Sequence, residues 1–207
     1  MKVLVIGAAG RTGKAVVKRA VAAGHEVTAF AREAGELDIP GVRVVEGDAT
    51  DGNAINEAVR GQGAVLGAVG GKTPYKETTL ETSIAKAVIA AMERNGVRRL
   101  VATSMLGVGG SKANATFYER LLVSTFLRGA DKDKKAMEAA IEASSLEWVI
   151  LRPAILSDDP PTGRVRIFEE GSGEKAHKIS RDDLAAFMVD QLTSNEHLHK
   201  AVTIANH

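Results

Sequence analysis

The stretch KVLVIGAAGRTG, Lys2 to Gly13, decides the fold of this chain. A short apolar run stops at Gly7, and Gly10 and Gly13 follow at three-residue steps before an amphipathic segment begins. This order predicts a strand, a tight glycine turn and a helix N-terminus, where bare backbone N–H groups and the helix dipole can face a pyrophosphate. The spacing is G-x-x-G-x-x-G, with Ala8 where the dinucleotide fingerprint has a glycine, so a plain strand-turn-helix connection is the alternative.

The composition predicts one soluble domain and excludes several kinds of site. The chain has 207 residues, of which 44% are hydrophobic and 26% charged, and its net charge is +1. Neither nucleic acid nor an anionic membrane is therefore expected as a partner. The absence of cysteine excludes disulfides, thiolate metal sites and cysteine nucleophiles. The N-terminal apolar run is too short for a signal peptide, and no run approaches a membrane helix, so a cytoplasmic location is expected.

Strands and helices alternate along most of the chain. This alternation, with strands of buried type, predicts a doubly wound parallel sheet covered on both faces: a single α/β domain of Rossmann type. The predicted strands are 3–6, 26–30, 42–46, 64–69, 98–103 and 147–151, and the predicted helices are 14–23, 53–60, 79–94, 115–127 and 131–143, the last two parted near Gly129.

The last part of the chain has a different pattern. Residues 164–168 alternate as a short strand, 178–179 are suited to another, and 202–205 to a closing strand. Ser180 and Asp183 have the spacing of a capping box, which predicts a helix after them. We expect about residues 153–207 to form a small cap on the substrate side of the single domain.

The end of the second strand favours NADPH over NADH. The strand ends FARE, and Arg32 lies 19 positions after Gly13, where many NAD enzymes carry a carboxylate for the ribose. An arginine there suits a 2′-phosphate through charged hydrogen bonds. The alternative is a solvated arginine, with Glu33 as its partner or as the ribose ligand.

Further cofactor contacts are expected at turns near the same edge. Arg11, beside Thr12 in the glycine turn, is either a second phosphate contact or part of a solvated basic face. Asp48 and Ala49 follow strand three and can bond the adenine, unless Asp48 closes an Asx turn on its own backbone. Gly70, with Gly71, allows close approach after strand four, although any turn can use such a pair.

With these pieces placed, the sequence resembles the atypical short-chain dehydrogenases/reductases of the NAD(P)H-binding, NmrA-like group, and within it the biliverdin IXβ reductase/flavin reductase branch. The resemblance implies a Rossmann-type fold, NADPH as preferred cofactor, and reduction of flavins (FMN or FAD as substrate) or related conjugated acceptors. The stretches that carry it are VIGAAGRTG (5–13), GHEVTAFARE (24–33), VVEGDAT (44–50), AAMERNGVRRLVATS (90–104), ASSLEWVILRP (143–153), DDPPTG (158–163) and KISRDDLAAFM (178–188).

The departures from the family pattern bear on catalysis. The resemblance places Lys134 at the lysine of the usual Y-x-x-x-K pair, with Ala130 at the tyrosine position. Lys134 is thus a candidate catalytic residue at the nicotinamide ribose, although Lys135 is its neighbour and a solvated helix face is the alternative. The branch's histidine after the strand-six proline is replaced by Ala154.

Two strand ends supply the remaining candidates. Ser104 ends strand five, where an open α/β sheet presents its ligands, and its hydroxyl is a candidate catalytic group. Pro153, Ala154 and Ile155 end strand six and are expected to line the nicotinamide pocket. Arg152 either faces that pocket or pairs with a neighbouring acid.

The aromatic and histidine residues are further candidates for the substrate site or the core. We expect Tyr75 and Tyr118 to shape a planar substrate's site, and Trp148 and Phe117 to lie in the core. His197 and His199 form H-x-H without a carboxylate pattern, so no metal site is expected.

Two functions from different classes follow. One is an NADPH-dependent reductase of flavins, quinones or tetrapyrrole-like acceptors, which need positioning more than a general acid. The other is a non-catalytic NADP(H) sensor that signals through a protein partner, as parts of the NmrA-like group do. An epimerase is disfavoured by Ala130. The oligomeric state is open between monomer and homodimer.

Overall fold

The computed structural model describes residues 1–33, 35, 37, 39–70, 78–116 and 128–206. Within this part, strands and helices alternate from β1 to β6, as the sequence pattern predicts. The strands are β1 Lys2–Ile6, β2 Glu26–Ala31, β3 Arg43–Glu46, β4 Ala64–Gly67, β5 Arg99–Thr103, β6 Glu147–Pro153, β7 Ile155–Ser157, β8 Val165–Phe168, β9 Lys178–Ser180 and β10 Lys200–Asn206. The helices are α1 Arg11–Ala22, α2 Gly52–Val59, α3 Leu80–Asn95, α4 Arg128–Glu142 and α5 Arg181–Asp190, with a short 3-10 helix at Gly109–Ala113.

The main sheet has eight strands in the order β3-β2-β1-β4-β5-β6-β10-β8. All neighbouring pairs are parallel except β10 and β8, which run antiparallel. After β3, at one edge, the chain crosses back to β4 on the other side of β1, so the strand order reverses between β1 and β4. Such a switch point opens a crevice at the carboxyl ends of the strands, and the predicted doubly wound Rossmann-type fold is confirmed.

Strand β1 shows why both faces of the sheet are covered. Its side chains alternate, with Val3 and Val5 in one core and Leu4 and Ile6 in the other. Helices α1 and α5 bury apolar residues in the first core, and α2, α3 and α4 in the second. The unbroken apolar run from Val3 to Ile6 suits this arrangement, because neither face of the strand meets water there.

The C-terminal segment, residues 153–207, was expected to form a small cap, but most of its elements belong to the main sheet and its core. Strands β8 and β10 extend the main sheet, and α5 contributes to the same core as α1. Only β7 and β9 pair apart, in a two-stranded parallel sheet. The predicted helix start is confirmed with Ser180 as its N-cap, because Ser180 Oγ accepts from the N–H of Asp183 at 3.0 Å. The reciprocal half of the capping box is not formed, because the N–H of Ser180 donates to Oδ1 of Asn206 at 2.8 Å instead.

Some predicted boundaries are wrong. Helix α4 begins at Arg128, before the predicted start at 131, and residues 115–116 are not helical, while 117–127 lie outside the described residues. Strand β6 continues to Pro153 because the parallel β10 pairs with it through Ile204. None of the helices in the described ranges is long and apolar enough to cross a membrane.

Candidate functional site

Two glycines of the first turn are required by the fold, and the third is not. Gly7 has φ of +82°, and a Cβ there would lie 2.7 Å from the carbonyl oxygen of Ala68. A Cβ at Gly13 would lie 2.1 Å from the carbonyl oxygen of Gly7. At Gly10 the nearest atom, again the Gly7 oxygen, is 3.3 Å away, and Gly10 is exposed. The bare surface of Gly10 is therefore open to a ligand.

The start of α1 has the properties of an anion site. Gly10 is the N-cap and its backbone is extended, but no side chain caps the helix. The first turn, which holds Arg11, Thr12 and Gly13, contains no acidic residue. The N–H groups and the positive end of the helix dipole are thus left to a ligand such as a pyrophosphate. This arrangement fits the phosphates of a dinucleotide.

Arg11 has a partner within the protein. Its Nη1 donates to Oδ2 of Asp158 at 2.9 Å, and both side chains are exposed. Arg181, at the start of α5, bonds the other oxygen of the same carboxylate. A phosphate contact by Arg11 stays a prediction, because binding would require it to leave or share Asp158.

The predicted adenosine end of the site lies beyond β2 and β3. Arg32 and Asp48 are both exposed there. The N–H and the hydroxyl of Thr50 each donate to Oδ1 of Asp48 at 2.8 Å, which is the local turn anticipated as the alternative. These bonds lower the pKa of Asp48, and the nearby charge of Arg32 lowers it further. Arg32 is thus close to Asp48, at the end where a 2′-phosphate is expected.

Two backbone positions remain as predicted contacts. Ala49 is buried directly after Asp48. Gly70 follows β4, and a Cβ there would meet nothing within 4 Å, so the space beside it is open. Gly71, Tyr75, Phe117 and Tyr118 lie outside the described residues.

Ser104 follows β5 and has an unsatisfied hydroxyl. Its side chain is 5% exposed, and Oγ has no hydrogen-bond partner among the described residues. The backbone N–H of Ser104 donates to the carbonyl oxygen of Leu151 at 2.7 Å, which ties the residue to β6. A buried hydroxyl without a partner is costly, so a ligand that bonds Oγ would recover that cost.

Lys134 is buried at the end of β5 rather than on a solvated helix face. Its Nζ donates to the carbonyl oxygens of Thr103 at 3.3 Å and Val69 at 3.5 Å, at the ends of β5 and β4. Lys135, its neighbour, pairs instead with Asp131 on the outside of α4. The structure therefore places Lys134, and not Lys135, at the carboxyl edge of the sheet.

Two carboxylates near Lys134 were not predicted from the sequence. Glu81 of α3 forms a buried ion pair with Lys134, and Asp133 caps the start of α3. Neither residue matches a motif, since each acts across a gap of about fifty positions in the chain. The only sign of them in the sequence is that each carboxylate lies on the otherwise apolar face of its helix.

Arg152 pairs with neighbouring acids, which was the second of the two expectations for it. Its Nε and Nη2 donate to the two carboxylate oxygens of Glu138 at 3.0 and 2.7 Å, and Nη1 bonds Glu170. The guanidinium fills the space beside Gly109, where a Cβ would lie 2.6 Å from Nη2. Arg152 therefore links β6 to α4 and to the loop after β8.

The end of β6 presents one large apolar side chain to solvent. Pro153 and Ala154 are buried, and the N–H of Ala154 donates to Ile204 of β10 at 3.0 Å. Ile155 is 56% exposed, whereas nearly all other large apolar side chains in the described ranges are covered. An exposed isoleucine at this edge suits the face of a planar ring, and its contact with the nicotinamide stays a prediction.

Trp148 is buried in the core shared with α3 and α4, as predicted, and packs edge-on against His199. His197 is also buried and stacks on Phe187 of α5. These aromatic contacts lie outside the carboxyl edge of the sheet and serve packing.

Comparison with known sequences identifies a family. Residues 7–195 match the sequence model of the family described as NAD(P)H-binding. An uncharacterised chloroplastic protein of Arabidopsis thaliana, At2g34460, is 29% identical over 98% of this chain and 76% of its own length. A 2-alkyl-3-oxoalkanoate reductase of Stenotrophomonas maltophilia is 30% identical over 84% of this chain and 60% of its own length.

Solved structures share the fold over its whole length. ChuY of Escherichia coli O157:H7, described as an anaerobillin reductase, has a TM-score of 0.81 at 24% identity and covers 100% of this chain and 97% of its own. A short-chain dehydrogenase/reductase of Veillonella parvula, in complex with NADP, has a TM-score of 0.84 at 18% identity, with 99% and 94% covered. At these identities the likeness concerns the fold alone.

Proposed function

Because this chain belongs to the NAD(P)H-binding family, we propose that it is an NADPH-dependent reductase that transfers hydride to a flavin, quinone or tetrapyrrole-like acceptor. The observation that carries the proposal is the pairing of two features along one edge of the sheet. No side chain caps the start of α1 at the bare Gly10. The buried hydroxyl of Ser104 has no partner among the described residues, and the ammonium of Lys134 bonds the carbonyl oxygen of the preceding residue, Thr103.

Each part of the cofactor has residues suited to it. The first turn of α1 would hold the pyrophosphate through backbone N–H groups, and Arg32 would hold the 2′-phosphate through its guanidinium. Lys134 and Ser104 would hold the nicotinamide half, and Ile155 would cover one face of its ring. NADPH, when bound, supplies the hydride.

The protein's own contribution to the reaction is mostly positioning. Ala130 and Ala154 stand where proton donors of the resembling enzymes would be, so a reaction that needs a dedicated acid is poorly served. A conjugated acceptor spreads the negative charge that it gains, and holding it against the nicotinamide then provides most of the rate enhancement. The buried Ser104 hydroxyl can orient the carboxamide or an acceptor carbonyl.

The names of similar proteins support the reductase class without specifying the acceptor. One relative is named for reduction of a 2-alkyl-3-oxoalkanoate and one structural neighbour for reduction of anaerobillin. Both names are those of reductases, and neither specifies an acceptor for this chain. We place conjugated acceptors first among the substrates to be tested because Ala130 and Ala154 stand where the resembling enzymes have proton donors.

The test is to mix the purified protein with NADPH and FMN, a quinone or a linear tetrapyrrole, and to follow the loss of absorbance of the reduced cofactor. We expect turnover, and Ser104→Ala should lower kcat/KM by about tenfold, the value of one hydrogen bond to a polar group. Ser145→Ala, which removes a surface hydroxyl bonded to Glu93, is the matched control and should leave the rate unchanged.

Two results would overturn the proposal in different ways. Turnover unaffected by Ser104→Ala would remove the role of that hydroxyl. Tight NADP(H) binding without turnover of any of these acceptors would favour the sensor, which binds the cofactor and signals through a protein partner.

A further inference from the structure

Lys134 and Glu81 form one of the least accessible ion pairs in the described part of the chain. Their side chains are 8% and 5% exposed, and Nζ of Lys134 meets Oε2 of Glu81 between α4 and α3. Burying two charges is costly even when they are paired, and hydrophobic residues often replace such pairs without loss of stability. A buried pair at the edge of a candidate site therefore calls for a functional explanation.

The joint between the two helices holds residue 81 by both its backbone and its side chain. Asp133 precedes Lys134 on α4, and its carboxylate accepts from the N–H groups of Glu81 and Thr82 at 3.0 Å each. The hydroxyl of Thr82 donates to the same carboxylate at 2.6 Å. Consecutive residues of α4 thus cap the start of α3 and pair with its first carboxylate.

The ammonium is held at the edge of the sheet where ligands bind. Among the described residues, its other contacts are the carbonyl oxygens of Thr103, at the end of β5, and of Val69, two residues after β4. Ser104, whose hydroxyl has no partner in the same ranges, follows Thr103 directly. A nicotinamide held at these strand ends would therefore lie in the electrostatic field of Lys134 and Glu81.

The other charged groups nearby are each engaged elsewhere. Asp133 is satisfied by the start of α3, and Asp131 pairs with Lys135. On the next turn of α4, Glu138 is bonded by Arg152 of β6. Among the described residues, Glu81 is thus the carboxylate that balances the charge of Lys134.

We propose that Glu81 is a positioning residue whose carboxylate balances Lys134, so that the site binds oxidised and reduced nicotinamide with comparable affinity. The inference rests on the proposed function, since it concerns the same cofactor. The oxidised ring carries one positive charge and the reduced ring carries none. An unbalanced ammonium at the strand ends would disfavour the oxidised ring, whereas a balanced pair does not.

The test compares the dissociation constants of NADP⁺ and NADPH, measured by calorimetry on the full-length protein. In Glu81→Gln, the ratio of the NADP⁺ constant to the NADPH constant should rise by about threefold to tenfold, as expected for one unit charge in a partly exposed site. In Lys134→Met the ratio should fall by a similar factor, because the unpaired carboxylate favours the cationic ring. The double variant should return it to the original value.

The opposite signs separate this role from a structural one. Thr82→Ala loosens the same helix joint without changing a charge, so it should lower the melting temperature and leave the ratio unaltered. Glu81→Asp keeps the charge and should also preserve the ratio. If Glu81→Gln does not fold, the fall expected for Lys134→Met still stands as the test.

Unchanged ratios in both single variants, or shifts in the same direction, would overturn the inference while leaving the proposed function intact. Failure of the unaltered protein to bind either form of the cofactor would overturn the proposed function, and this inference with it.

Discussion

Replacing Gly13 by alanine tests the steric reasoning on the first turn. The new methyl carbon would lie 2.1 Å from the carbonyl oxygen of Gly7 and 2.8 Å from Cα of Ala8. Ordinary contacts begin near 3.4 Å, and both neighbours are backbone atoms that cannot rotate away. Helix α1 must therefore move off β1, which loosens the packing of Val16 and Val17 in the core.

The size of the effect follows from two opposing contributions. Overpacking of this kind costs about 3–4 kcal/mol, and alanine recovers about 1 kcal/mol of helix propensity relative to glycine. The free energy of unfolding should fall by about 2–3 kcal/mol. For a chain of this length each kcal/mol shifts Tm by about 2–4 °C, so we expect a drop of about 4–12 °C in circular dichroism melting curves.

Gly10→Ala is the matched comparison. Gly10 has φ of −70° and ψ of 159°, which alanine adopts without strain, and the new methyl carbon would lie 3.3 Å from the nearest atom. We expect Tm to change by no more than about 3 °C, since the loss at an N-cap is below about 1 kcal/mol. The methyl group would occupy the surface offered to the phosphates, so the Kd for NADPH should rise at least about tenfold, or about 1.4 kcal/mol.

The pair of variants can refute either half of the reasoning. Gly13→Ala melting at the unaltered temperature would show that the helix does not need its close approach to the turn. Gly10→Ala binding NADPH as tightly as the original protein would show that the phosphates do not lie against this surface.

Three further predictions concern charged side chains. Arg32→Ala should raise the Kd for NADPH by about tenfold to 100-fold, the value of charged hydrogen bonds, and that for NADH by less than about threefold; equal losses would remove the 2′-phosphate role. Arg152→Leu leaves Glu138 buried without its partner, so the free energy of unfolding in urea should fall by about 3–5 kcal/mol. Arg60→Ala, which removes an exposed ion pair with Glu57, should lower it by less than about 1 kcal/mol. Similar losses in the two variants would contradict this prediction. Burial raises the pKa of Asp183, but hydrogen bonds from backbone and side chains outweigh burial, and the net effect is a lowered pKa. The ionised carboxylate therefore stabilises the fold fully above the usual aspartate range, and this stabilisation is lost as pH falls through the lowered pKa. Asp183→Asn should lower Tm at pH 7 and flatten the dependence of Tm on acid pH, and an unchanged pH profile would refute the assignment.

Periodicity was sufficient for the elements that we propose as the phosphate site. The strand, turn and helix from Lys2 to Ala22 are continuous in the chain, and the close approach of Gly13 to Gly7 within the turn is local. The glycines at three-residue steps therefore predict the turn correctly. The same locality explains why Ser180 could be identified as an N-cap from four residues.

The less regular segments show where such reasoning fails. The second of the two helices predicted around Gly129 was expected to start at Asp131, but α4 already includes Arg128 and Gly129. Gly129 is buried in α4, and tertiary packing outweighs a propensity of about 1 kcal/mol. Strand β7 was missed because its partner, β9, lies more than twenty positions away.

The sequence by itself determined the doubly wound sheet, the phosphate turn and the candidate residues at its edge, since repeating apolar patterns and bare glycines act over a few residues. The tertiary structure alone decided what those candidates contact. It paired Lys134 with Glu81, bound Arg152 to Glu138, and gave the Ser104 hydroxyl no partner in the described part of the chain. Charges and hydrogen bonds act through space, and the distances that govern them are set only when distant segments pack together.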